Sequence, residues 1–234
     1  MTPMFNRRES LALAGAALAT SAFALARTAH AAAPTRMPYE MKPLPFDPTR
    51  VPGLSERILT SHHQNNYGGA VRRLNAIEAE LTKLDFATAP NFVVNGLKRE
   101  ALIAANSMIL HEHYFTAIGG GGDPTGALAD AITRDFGSLA RWRGEFTAMG
   151  KAQGGGSGWT ILAYSPRDRR LMNVWAADHT NTLADGRPIL VLDMYEHSYH
   201  MDYGANAAGY VDAFMQVIAW DRMAAQFGRV TQQG

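Results

Sequence analysis

The chain is predicted to fold as an α+β protein: a long N-terminal helical hairpin, then a C-terminal domain whose small three-stranded antiparallel sheet is flanked by helices. Three observations carry this expectation. Apolar residues recur at helical spacing through two long stretches, residues 54–85 and 90–115. The period then changes, and three β-rich runs follow at 159–164, 171–176 and 187–192. A last helical pattern occupies about 207–227.

The elements follow in order. Asn6-Arg7-Arg8-Glu9-Ser10-Leu11 precedes an Ala-rich apolar run and the small residues Ala29-His30-Ala31, so residues 1–31 read as a cleaved export signal of twin-arginine-like type. That run is short and rich in Ala and Ser, which spans a bilayer poorly, and no stable membrane span is expected after cleavage. Export of a folded chain would let a metal be loaded before it leaves the cytoplasm. Pro34, Pro38, Pro43, Pro45, Pro48 and Pro52 make residues 32–53 an extended arm laid across the body.

Residues 54–122 form the helical-hairpin domain. Ser55 is an N-cap candidate ahead of Ile58, Leu59, His62 and Asn66. Gly68-Gly69 predicts a kink before the pattern resumes at Val71, Leu74, Ile77 and Leu81. Pro90-Asn91 opens the second long helix, which reaches His111-Glu112-His113-Tyr114-Phe115 and stops at Gly119–Gly122. That glycine run lacks the Lys-Ser/Thr of a phosphate loop and reads as a flexible linker and domain boundary. Residues 123–234 form the α+β domain, with helices at 126–134 and 138–151, a hairpin turning at 165–170, and a third strand that delivers Asp193.

Composition excludes several chemistries. Hydrophobic residues make up 47% and charged residues 18%, as in an ordinary globular protein. Net charge is +1, so no nucleic-acid surface or polybasic membrane anchor is expected. Removing the signal takes three arginines and one glutamate, and the remainder is close to neutral. Cysteine is absent, which rules out disulfides, thiolate metal sites and cysteine nucleophiles. A transition-metal site must then use His, Asp and Glu, which favours iron, manganese or zinc.

The chemistry centres on Asp193-Met194-Tyr195-Glu196-His197-Ser198-Tyr199. Asp193 and His197 would share a face if the chain turns helical there, while Glu196 points elsewhere. Such a pair alone is more often an ordinary hydrogen bond than a metal site. The histidines add to it. His62 and His63 point about 100° apart on the first helix, and His111 and His113 about 200° apart on the second, so each pair offers one ligand at most to a given site. One His from each helix with Asp193 and His197 gives three imidazoles and a carboxylate. That set suits a redox-cycling iron or manganese centre and is compatible with zinc.

In this order the residues resemble the iron/manganese superoxide dismutases over residues 38–227. Residues 193–199 are similar to that family's D-x-W-E-H-A-Y signature. Ser61-His62-His63 lies in a stretch matching its first helix without a gap. His111, Tyr114 and Phe115 fit its N-H-x-x-Y-W segment, and Pro124-Thr125-Gly126 and Gly156-Ser157-Gly158-Trp159 fit two further phrases. The resemblance implies His62, His111, Asp193 and His197 as ligands of one iron or manganese ion per subunit, with a lean to iron, and superoxide as substrate. It implies disproportionation to dioxygen and hydrogen peroxide, tuned by a hydrogen bond to solvent at the metal. Ser107 stands where the family can carry a glutamine for that bond and is too short, so His179 is the expected partner. The plainer reading of His179 is a turn histidine bonded to Asp178.

Departures accompany the match. The family's entrance has a histidine four residues and a tyrosine eight residues past the first ligand, where this chain has Asn66 and Ala70. His200 replaces the second tyrosine of the signature, and Tyr195 and Phe115 replace cage tryptophans. The resemblance further implies a homodimer or dimer of dimers, bridged by Glu196 and His197, with His200 and Asn66 of opposite subunits replacing a Tyr–His contact. Two other readings remain: a metal-binding envelope protein of the same fold with weak or no turnover, and a non-haem iron oxygenase. Four protein ligands leave the oxygenase little room for substrate and dioxygen together.

Overall fold

The computed structural model describes residues 37–232. The export signal and the first residues of the arm, Pro34 included, lie outside the described residues. From residue 37 the arm runs along the helical hairpin. Tyr39 and Asn75 exchange a reciprocal pair of hydrogen bonds, at 2.8 and 2.9 Å. The Lys42 N–H donates to the Tyr67 hydroxyl at 2.9 Å. A short 3-10 turn at Pro48–Arg50 interrupts the arm, capped by Asp47.

Helix α1 (Glu56–Ser61) begins at Ser55, whose hydroxyl oxygen accepts the Ile58 N–H. The Asp202 carboxylate in turn accepts both the N–H and the hydroxyl of Ser55, each at 2.7 Å, tying this end to the C-terminal half. The helical run passes through a π-helical turn, His62–Tyr67, into α2 (Gly68–Lys83). The expected kink at Gly68-Gly69 is therefore displaced: the irregularity is the π turn just before it, and Gly68 is itself helical at φ −61°. Gly68 faces the arm: a Cβ there would stand 2.7 Å from Met41 Sδ, the end of a flexible side chain. Helix α3 (Asn91–Ala117) packs antiparallel in sequence order against α2 and buries Ala104, Met108, Leu110, His111, Tyr114 and Phe115.

Helices α4 (Gly126–Phe136) and α5 (Leu139–Ala152) lead to the sheet. Strand β1 (Trp159–Ser165) is central and wholly buried, with β2 (Arg170–Ala176) and β3 (Arg187–Asp193) antiparallel on either side. Pro188 is tolerated because β3 is an edge strand and the register shifts beside it. The register pairs Trp159 with Asp193. After β3 come a 3-10 turn at Glu196–Ser198 and three helices, α6 (His200–Tyr203), α7 (Ala207–Phe214) and α8 (Trp220–Gln232).

Two expectations fail here for one reason. The last helical pattern is two helices rather than one, and the first glycines after α3 are not a flexible linker. The segment between α7 and α8 pairs with the end of α3: Ile118 bridges Ile218, the Ala219 N–H donates to Ala117 O at 2.7 Å, and the N–H groups of Gly119 and Gly120 share Val217 O. Backbone pairing at long range thus breaks the final helix and ties Gly119 and Gly120 to Val217. It also explains Gly120, where a Cβ would stand 2.5 Å from Ala219 Cα.

Gly120→Ala should destabilise the fold by about 1–3 kcal/mol in denaturant titration, since backbone must move to admit the methyl. Gly96→Ala, where nothing lies within 4 Å on the exposed face of α3, should stabilise by about 0.5–1 kcal/mol.

Candidate metal centre

Four elements deliver one side chain each. His62 opens the π turn, His111 comes from α3, Asp193 ends β3, and His197 sits on the 3-10 turn. One ligand atom from each lies within 4.8 Å of the others. Asp193 Oδ2 is the hub, at 3.1 Å from His62 Nε2, 3.5 Å from His111 Nε2 and 3.2 Å from His197 Nε2. His62, His111 and Asp193 are buried, whereas His197 is partly open. The Asp–His segment is not the α-helical turn expected from its spacing; a 3-10 turn performs the same convergence.

Hydrogen bonds orient each donor. The Tyr195 N–H donates to Asp193 Oδ1 at 2.8 Å, which turns Oδ2 toward the imidazoles. The hydroxyls of Ser198 and Tyr210 donate to the Asp193 carbonyl at 2.9 and 2.8 Å. His111 Nδ1 lies 2.6 Å from Ser107 O. A carbonyl only accepts, so Nδ1 carries the proton and Nε2 presents its lone pair. His63 stays outside the cluster, its Nε2 donating to Lys42 O of the arm at 2.8 Å.

The fit to a cation is direct. Among the described residues, the buried nitrogens His62 Nε2 and His111 Nε2 close no hydrogen bond, although Asp193 Oδ2 stands near both. Two imidazole lone pairs and an ionised carboxylate pointed at one volume need a metal to be satisfied. Burial holds the His62 pKa below its ordinary value, and burial followed by the neighbouring His62 pushes His111 down to about 3. For Asp193 burial acts upward, but His197 and His62 outweigh it and hold the carboxyl well below the usual range. At neutral pH His62 and His111 are neutral imidazoles and Asp193 carries one negative charge. His62 Nδ1 is also buried without a partner, and nothing in the structure accounts for it.

The remaining sequence-selected residues surround the cluster. His179 is beside it, its ring 6.3 Å from that of His111. It is not bonded to Asp178, whose carboxylate accepts from Thr180 and Asn181. Instead the Trp159 indole N–H donates to His179 Nδ1 at 3.1 Å, and Asn106 donates to its carbonyl at 2.6 Å. Phe115 lies 5.0 Å from the His62 ring. Ala70 is buried in the core, Asn66 is half-buried on the π turn, and Glu196 and His200 are exposed. Tyr67 does not replace the absent entrance tyrosine: its hydroxyl is committed to Lys42 and Glu112. Sequence reading missed Tyr210, the bond from Trp159 to His179 and the contribution of Asn106. Each reaches the centre across a large sequence separation with no local pattern to mark it.

Fold and donor set together define a mononuclear metalloenzyme of the three-imidazole, one-carboxylate kind. Residues 124–226 match the profile of the iron/manganese superoxide dismutases, C-terminal domain. Over 191 residues, 82% of this chain and 97% of the relative, the sequence is 68% identical to an iron superoxide dismutase of Cupriavidus metallidurans. A manganese superoxide dismutase of Halobacterium salinarum is 36% identical over 83% of this chain and 98% of its own length. An iron superoxide dismutase of Methanothermobacter thermautotrophicus is 34% identical over 81% and 94%. The chain belongs to the iron/manganese superoxide dismutase family and is an enzyme of that type.

The buried imidazoles set a pH dependence for the metal-free protein. With His111 near 3 when folded and 6.5 in its ordinary state, the unfolded chain binds the extra proton, so stability falls as pH drops below about 6.5 toward 3. At about pH 5 the His111 contribution is a loss of about 2 kcal/mol relative to neutral pH. Urea titration of apo protein at both pH values should show it, and His111→Gln should reduce the difference.

Proposed function

We propose that His62, His111, Asp193 and His197 hold a single iron or manganese ion at which superoxide is disproportionated to dioxygen and hydrogen peroxide. The observation that carries this is the convergence of one buried carboxylate oxygen and three imidazole nitrogens within 4.8 Å, with no hydrogen bond closing on the His62 and His111 Nε2 atoms. When bound, iron or manganese supplies a one-electron couple, so one superoxide is oxidised and the next reduced without an outside reductant.

The chain's residues do the rest. Asp193 stays ionised and lowers the positive charge of the centre, which brings the couple toward the range between the two half-reactions. Ser107 fixes the His111 tautomer. An indole N–H only donates, so His179 Nδ1 is the acceptor and Nε2 bears the proton of the neutral ring. We assign that Nε2–H to a solvent molecule at the centre. The 68% identical relative is named an iron enzyme, and with histidine rather than glutamine in this role we assign iron here as well. Asn66, Ala70 and His200 leave an entrance without its usual histidine and tyrosines.

Two further assignments rest on sequence. Exposed Glu196 beside ligand His197 suits a bridge to a second subunit, with His200 meeting Asn66 across the two-fold axis. A dimer structure placing those two side chains beyond hydrogen-bond reach, with no bridging water, contradicts that contact. Among the described residues no helix is long and apolar enough to cross a membrane. The Arg7-Arg8 segment supports export through a twin-arginine route. Replacing both arginines by lysine should hold the protein in the cytoplasm, and unchanged export contradicts the route.

Metal analysis of protein from its own host, followed by stopped-flow decay of superoxide, tests the activity. Metal-replete protein should consume superoxide far faster than the same concentration of free ion. A rate no better than free ion favours the metal-binding envelope protein instead. His179→Ala should lower the rate by about 10–100-fold while the ion is retained.

A further inference from the structure

Tyr195 lies between a ligand and the residue beside the centre. Its ring stacks on that of His197, centroids 5.4 Å apart and planes 17° apart, and on that of His179 at 4.8 Å and 15°. Trp159 stands 5.8 Å from the same ring and bonds His179 Nδ1. The segment that carries His179, residues 177–186, has no helix or strand to hold it. Its orientation must come from side chains. Trp159 fixes the edge of the imidazole and Asn106 its main chain, but neither covers the ring face. Tyr195 does; its main chain is set by the N–H it gives to Asp193 Oδ1. Its phenol oxygen accepts from the His179 main chain and from Ser157, so the phenylalanine variant separates ring from hydroxyl.

We propose that the aromatic ring of Tyr195 is a positioning element that holds the His179 imidazole in one orientation relative to ligand His197. The proposal rests on the reading of His179 as the group that bonds solvent at the centre. It assigns to a residue that departs from the family signature a task beyond filling the cage. Parallel stacking against a neutral imidazole needs an aromatic face and not merely bulk. A side chain of similar volume without a ring should therefore fail in the task.

The reporter is the Trp159 indole N–H, whose exchange with solvent is slowed by its bond to His179. Exchange is measured by NMR on zinc-substituted protein, alongside the reduction potential of the natively loaded enzyme. Tyr195→Ala and Tyr195→Leu should both speed indole exchange by about tenfold, and Tyr195→Phe should restore it to within about twofold. The potential should move in Tyr195→Leu in the same direction as in His179→Ala, and return in Tyr195→Phe. Wild-type exchange in Tyr195→Leu, or failure of Tyr195→Phe to restore it, overturns the proposal. If Tyr195→Ala does not fold, the leucine and phenylalanine variants decide it alone. Should His179→Ala leave the potential unmoved, the solvent role of His179 fails, while the exchange data still decide what Tyr195 does.

Discussion

The fold is organised around a carboxylate that has no contact with water. Asp193 ends the edge strand of a small sheet, fully buried, with three imidazoles around one of its oxygens. An uncompensated charge in such a place costs on the order of several kcal/mol even after relaxation. Part of the compensation is built into the chain, through the Tyr195 N–H on Oδ1 and the His197 imidazole 3.2 Å from Oδ2. The larger part falls to a cation, because the neutral imidazoles of His62 and His111 cannot neutralise a carboxylate.

This requirement joins the two halves of the molecule. The ligands come from the first helical run, from α3 and from the end of the sheet, so an ion at their meeting point fastens elements that otherwise touch through side-chain packing. Binding energy at such a centre is also folding energy. Other contacts reinforce the same junction: Ser55 with Asp202, and the end of α3 with the break between α7 and α8. The arm closes the far side, where His63 and Tyr67 hold its main chain at Lys42.

Much of this was legible in the sequence, and the parts that were not share a cause. Helical spacing located both long helices, and β-rich runs around a polar turn located the strands to within a residue or two. Which of His62 and His63 enters the centre was not decidable from period alone, since helical geometry says only that both cannot. The π turn carries no residue type that marks it, and Gly68-Gly69 drew the expected kink a few residues too far on. The glycines after α3 and the apparent single last helix were misread because a backbone pairing across about a hundred residues decides both, and local propensity yields to such tertiary contacts. Trp159 and Tyr210 escaped for the same reason. Their roles exist only once register and packing have set them against His179 and Asp193.

Fold and chemistry alike depend on a single ion held by three imidazole nitrogens and one carboxylate oxygen from His62, His111, Asp193 and His197. X-ray absorption at the metal edge, combined with anomalous diffraction from crystals of protein loaded in its own host, measures this directly. One anomalous peak per chain is expected between His62, His111, Asp193 and His197, with only nitrogen and oxygen bound to the metal. An ion ligated by other residues, two ions in the centre, or Asp193 outside the coordination shell would contradict it.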